Sequence, residues 1–224
     1  QASISLFKGG ILMEKVNNKE GIPFRHYKDE YALLDPEETA RRCAVEYDGQ
    51  QGKFTIWFLG NTYSISFPDF AVHCEENRVG ADELTKSLTA QILIMRYLNH
   101  GKYVPALGTF QTYRELPWGN VYETNFRGRC IMRFAFSFGS RVEALKKAMS
   151  RLNAEPVKAG DAAWDVEILK GVYVRYILWE GDDEFPPSAQ ILFSDNCSSA
   201  FSTEDLAYVG DITINTFKLL SQGD

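Results

Sequence analysis

The hydrophobic positions change period several times along the chain, and the changes outline its elements. Between residues 82 and 99, Leu84, Leu88, Ile92, Met95 and Asn99 recur at helical spacing, and Ala90, Leu93, Ile94 and Leu98 widen the same side. So broad an apolar face predicts a central, largely buried helix, ending at His100-Gly101, where glycine supplies the cap. Before it, Ala44–Tyr47, Phe54–Phe58 and Thr62–Phe67 are short and rich in aromatic and β-branched residues. Tyr63, Ile65 and Phe67 alternate with Thr62, Ser64 and Ser66. With turns at 48–52 and at Gly60-Asn61, these runs predict an antiparallel meander, extended by a short strand at Ala71–Cys74.

Capping signals place further helices. Asp35, Pro36 and Glu38 carry the signature of a helix start, running to Arg42 or Cys43. Residues 120–138 read as two helical pieces kinked at Gly128. Ser140, with Glu143, is the expected cap of a helix from Arg141 to about Leu152, and Ser202 with Asp205 that of a last helix reaching about Leu220. Three strands lie between these last two helices: Asp165–Leu169, Val172–Trp179 and Ser188–Phe193. The last two are joined by the acidic, stiffened loop Glu180-Gly-Asp-Asp-Glu-Phe-Pro-Pro187. The first 30 residues are weakly patterned, with a turn-like Val16–Gly21. The expected fold class is α+β: an antiparallel N-terminal meander with a central buried helix, further helices, and a second small sheet closed by a C-terminal helix. Residues 1–224 are expected as one compact domain, with residues 100–106 as the place where two lobes would part.

Composition narrows the function classes. In 224 residues, 45% hydrophobic with 15 Phe and 11 Tyr, there is enough apolar material for a core without disulfides or metal. A net charge of -6 argues against general affinity for a phosphate backbone, so nucleic acid is not an expected partner. The four cysteines stand far apart with no CxxC, as in a reducing, cytoplasmic compartment. No apolar run approaches the ~20 residues of a membrane span, and Gln1–Phe7 lacks the basic start of a signal peptide; no membrane partner is expected.

Motif chemistry is sparse. There is no GxGxxG, no GxxxxGK[ST], no HExxH and no ligand-spaced cysteine set, and no cofactor is indicated. Cys197 is the only cysteine in a polar, turn-like stretch, which makes it the one thiol to consider as a nucleophile. The irregular aromatic segment around Tyr103, Tyr113, Arg114 and Trp118 suits a binding wall, and Arg129 and Arg133 share a helix face that could orient an anion. The plainer reading of these two arginines is a salt-bridged face, with Glu123 as a partner. Asp182 and Asp183, with Asp195 from the far end of the following strand, are the candidate metal-binding or acid–base carboxylates. Three functions follow: an accessory protein recognising a small anionic ligand or a protein partner; a metal-assisted hydrolase or proton-transfer enzyme; or a structural subunit. The binding reading leads, and the oligomeric state is left open.

Several stretches together resemble an uncharacterised bacterial and archaeal family catalogued as domain of unknown function 3786. They are Leu34–Arg42, Gly60–Asp69, Phe110–Pro117, Gly160–Trp164, Leu178–Pro187 and Ser202–Leu206. The resemblance covers roughly residues 28–220, and its most distinctive part is Leu178-Trp-Glu-Gly-Asp-Asp-Glu-Phe-Pro-Pro187. It implies a prokaryotic intracellular domain, some of whose relatives occur with iron–sulfur or corrinoid-metabolism proteins, and it implies no catalytic residues.

Overall fold

A computed structural model describes residues 18–222; the expectations for Gln1–Phe7 and for the start of the turn at Val16 lie outside the described residues. The first element, helix α1 (Asn18–Tyr31), occupies a stretch whose polar spacing predicts no helix. Its anchor is Tyr31, fully buried among Phe54, Phe67 and Phe70, whose hydroxyl donates to Ser66 O at 3.1 Å. Helix α2 (Pro36–Cys43) starts as expected: Asp35 Oδ1 accepts the Glu38 N–H at 3.0 Å.

The meander forms β1 (Glu46–Asp48), β2 (Lys53–Phe58), β3 (Asn61–Ser66) and β4 (Val72–Cys74). Its alternation is the expected one, with Phe54, Ile56, Phe58, Tyr63 and Ile65 buried and Thr55, Thr62 and Ser64 half-exposed. The long helix divides at Ser87 into α3 (Glu83–Lys86) and α4 (Leu88–His100), because the Ser87 hydroxyl accepts the Ala90 N–H and restarts the helix there. Leu93, Ile94, Met95 and Leu98 of α4 are buried.

Strand β5 (Phe110–Thr112) is followed by a 3₁₀ turn (Tyr113–Glu115), helix α5 (Gly119–Phe126), a π-helical stretch (Arg127–Met132) and α6 (Arg133–Phe138). Residues 119–138 are therefore one helix widened in its middle, and Gly128 does not split it. Helix α7 (Val142–Arg151) follows, without the expected Ser140 cap: Arg141 holds the cap position with no side-chain hydrogen bond. The rest comprises β6 (Glu155–Pro156), β7 (Ala162–Leu169), β8 (Val172–Trp179), β9 (Ser188–Ser194), α8 (Cys197–Ala200) and α9 (Thr203–Gln222). Helix α9 has the expected reciprocal cap: Asp205 Oδ2 accepts the Ser202 N–H, and the Ser202 hydroxyl accepts the Asp205 N–H.

The expected second sheet is not separate. All the strands among the described residues belong to one antiparallel sheet in the order β4-β3-β2-β7-β8-β9-β5, with β1 beside β2 and β6 beside β7. The join is narrow, a Phe58–Leu169 bridge supported by Leu59 N–H donating to Ile168 O at 3.0 Å. Helices α6 and α7 pack on strands β7 to β9, and α4 and α7 in turn pack on α9. One hydrophobic core runs through both sides of residues 100–106. The other sheet face carries Thr55, Ser64, Asp165, Glu167 and Arg175, none fully buried, as expected of an antiparallel sheet wetted on one side.

Candidate functional site

The hairpin of β8 and β9 is tied down at its loop. Asp161 Oδ2 accepts the Glu180 N–H at 2.8 Å, and Asp161 N–H donates to Leu178 O. The Gly160-Asp161 and Leu178–Glu180 motifs are thus one corner of the sheet. Within the loop, Asp182 Oδ1 accepts the N–H groups of Glu184 and Phe185, which holds its carboxyl below the usual range. Pro187 lies against Gly139 at the end of α6, so closely that any Cβ on Gly139 would overlap it.

Beside this loop runs a groove of about 500 Å³. One wall is strand β9 from Ser188 to Ile191 with Trp179 and the two prolines; the other is the widened helix, through Arg127, Ile131, Met132, Ala135 and Phe136. Tyr113 and Phe126 close the end of it, stacked with ring centres 4.0 Å apart, and the buried Tyr113 hydroxyl donates to Thr203 O. Burial pushes that phenol up to about 12, so it serves as a fixed donor and wall. Met132 and Phe136 remain 45% and 60% exposed, a substantial apolar surface beside a strand.

The strand in this wall has an open edge. Strand β5 pairs only with Leu192 to Ser194, and the chain then leaves because Glu115 Oε2 accepts both the N–H and the hydroxyl of Thr112, winding the 3₁₀ turn. Asp195 N–H donates to Thr109 O across that edge. Since ladder groups alternate sides along a strand, the N–H and C=O of Ala189 and Ile191 point to the same edge, past the end of β5. No strand among the described residues pairs with them there.

Two arginines border the groove. Arg114 is 3.7 Å from Glu123, a loose exposed pair, and Arg127 has no carboxylate partner among the described residues. Arg127 stands four and eight residues before Ile131 and Ala135, so helical spacing puts it in the groove wall with them and on another face from Arg129 and Arg133. The pair that spacing favoured, Arg129 and Arg133, is engaged elsewhere. Both bind Asp211 on α9, Arg133 at 3.2 Å and through its carbonyl at 3.0 Å, and Arg129 also covers the Tyr208 ring at 4.6 Å. They form a helix–helix clamp, with Asp211 in place of the expected Glu123.

The remaining expected site residues disperse. Tyr103 stands over Gly171 at the β7–β8 turn, and its N–H donates to Arg42 O. Trp118 is 79% exposed at φ 63°, beside Gly119, where a Cβ would collide with Tyr113 O; it borders a different depression, with Val121 and Tyr122. Only Tyr113 and Arg114 of the expected binding set reach the groove.

The three carboxylates also do not meet. Asp182 and Asp183 sit in the loop before β9 and Asp195 after it, separated by the strand's seven residues, about 23 Å at ordinary rise. Asp195 accepts the Leu107 N–H at 3.0 Å and the Thr109 hydroxyl at 2.8 Å, which lowers its pKa, so it orders the 107–109 turn. Among the described residues no cluster of three or more His, Cys, Asp or Glu could hold a metal ion. Cys197 is buried, its thiol pushed up to about 12 by burial, which removes the nucleophilic character expected of a polar turn.

Fold and groove together define an α+β protein in which β9, next to the short end strand β5 of the antiparallel sheet, keeps part of its edge open among the described residues. The chain belongs to the domain of unknown function family DUF3786, whose profile spans residues 35–216. No curated protein and no solved structure matches it significantly. No helix among the described residues is long and apolar enough to cross a membrane.

Proposed function

We propose that the protein is a cytoplasmic binding or accessory protein, and that the groove between β9 and the widened helix receives an anionic partner. The observation that carries it is Arg127, without a carboxylate partner among the described residues, beside Arg114 in a groove with apolar walls, on a chain of net charge -6. Apolar walls supply affinity, and a guanidinium without a carboxylate of its own supplies orientation through charge-assisted hydrogen bonds. The π turn supports the same assignment, since such turns recur where a helix serves a site. The four free thiols suit a reducing compartment.

The test is a titration of ¹⁵N-labelled protein with succinate, citrate and short acidic peptides. Shifts are expected at Arg114, Arg127, Phe136 and Trp179, and are lost in the Arg114→Ala/Arg127→Ala variant. Anions that move only resonances remote from the groove would remove the proposal.

A further inference from the structure

Resting on that assignment, we infer that the occupant is an extended peptide segment of another protein that adds to the sheet as a strand along Ser188–Ile191 and presents a carboxylate to Arg127 and Arg114. The open edge is four residues long, about 13 Å, and begins where β5 ends, so an added segment would continue the β5 position. Ala189 and Ile191 each offer one N–H and one C=O in that direction, and backbone pairing of this kind gives affinity regardless of the partner's side chains. Selectivity would come from alternation. Every second side chain of the added strand falls on the helix side, toward Ala135 and Phe136, and calls for a valine, isoleucine or aromatic residue. The guanidiniums at the border call for aspartate, glutamate or a terminal carboxylate.

An exposed strand edge is ordinarily protected by lysines, prolines or a bulge. Here Pro186 and Pro187 stop the edge on one side and the Thr112–Glu115 turn stops it on the other. The stretch between them, Ser-Ala-Gln-Ile, carries none of these protections. A second copy of the chain could also use such an edge. The arginines argue against that, because in a two-fold edge pairing the facing stretch would be Ser-Ala-Gln-Ile itself, which carries no carboxylate for them.

The experiment titrates labelled full-length protein with a short capped peptide alternating valine and threonine between two glutamates. Amide shifts and slowed hydrogen exchange are expected at Ala189 and Ile191. Ala189→Pro removes an N–H that β8 does not use, so the β8–β9 ladder survives, while peptide affinity falls about tenfold or more. Arg127→Glu should weaken binding by at least a similar factor and turn its fall with salt into a flat or rising dependence, because salt screens the new repulsion. If Ala189→Pro does not fold, a peptide N-methylated on alternate residues gives the same readout on the wild-type chain. Binding that is indifferent to Ala189→Pro and to N-methylation but weakened by Arg127→Glu overturns strand addition and leaves the groove as an anion site. Shifts with succinate but none with the peptide do the same. Binding indifferent to all three changes overturns both assignments. Silence of the groove toward both probes removes the binding proposal as well. Dilution-dependent shifts at Ala189 and Ile191 with dimer mass in ultracentrifugation would assign the edge to a second copy and overturn the peptide.

Discussion

Pro187 of the acidic hairpin packs on Gly139 at the end of α6 with no room for a β-carbon between them. Gly139 has an ordinary helical φ of -62°, so close approach and not backbone freedom is what requires glycine here. That contact fixes the hairpin loop against the helix and so sets one end of the groove. Gly139→Ala should cost about 1–3 kcal/mol through overpacking, read as a lower midpoint in urea. Combining it with Pro187→Gly should lose less than the sum of the two single changes, because the overlap is then relieved.

Asp211 neutralises two guanidiniums that approach it from the widened helix. Asp211→Ala leaves Arg129 and Arg133 facing each other without a counter-charge, about a third exposed to solvent. A loss of about 2 kcal/mol is expected, at the lower part of the range for charged partners because of that exposure. Equilibrium unfolding measures it. A change under 0.5 kcal/mol would mean the clamp adds nothing to stability.

Three thiols are silenced by burial. Desolvation raises Cys43 to about 11 and Cys130 and Cys197 to about 12. Iodoacetamide at pH 8 should therefore label Cys74, which is partly exposed, well before the other three. The same shifts set an alkaline limit. A raised folded pKa contributes stability that is complete below the unfolded thiol value of about 8.5 and is lost as pH rises through 11 to 12. Urea midpoints should fall between pH 8 and pH 11. Rapid labelling of all four thiols in native buffer would contradict the burial.

Asp195 holds the 107–109 turn through its carboxylate. Its lowered pKa follows first from the Leu107 N–H, so the ordering it supplies is present above the unfolded value near 4 and declines as pH falls below that. Asp195→Ala should speed amide exchange at Leu107 and Thr109 while β8 remains protected. Unchanged exchange at both amides would show that β5 holds the turn by itself.

Local rules account for much of what is observed. The caps at Asp35 and at Ser202 with Asp205, the alternation in β2 and β3, and the strand–loop–strand at 172–194 all depend on neighbours within a few residues. The Ser140 cap failed because Arg141 took the cap position. Helix α1 escaped notice because its packing partners are distant in sequence: Phe54, Phe67 and Phe70 around Tyr31, 23 to 39 positions away, and helix α4 along its length.

The candidate site divides along the same line. Tyr113 and Arg114 were recognisable as part of an irregular aromatic segment suited to a binding wall, whereas the short strand β5 before them was not. Arg127 was not either, because spacing puts it on a face with Ile131 and Ala135 but does not show that strand β9 lies across from that face. Arg129 and Arg133 were recognisable as a pair, but the identity of their partner depends on how α9 crosses the helix.

The sequence by itself determined the periods, the caps, the stiff acidic loop and the family to which the chain belongs, because each rests on short-range spacing or on identity of residues. Tertiary structure decided that the two groups of strands form one sheet, through a single bridge between Phe58 and Leu169, residues 111 positions apart. It separated Asp182 from Asp195 by the length of a strand and left Ala189 and Ile191 on an edge that no strand among the described residues pairs with. Pairing between distant strands is specified by packing on a shared core, which no local pattern records.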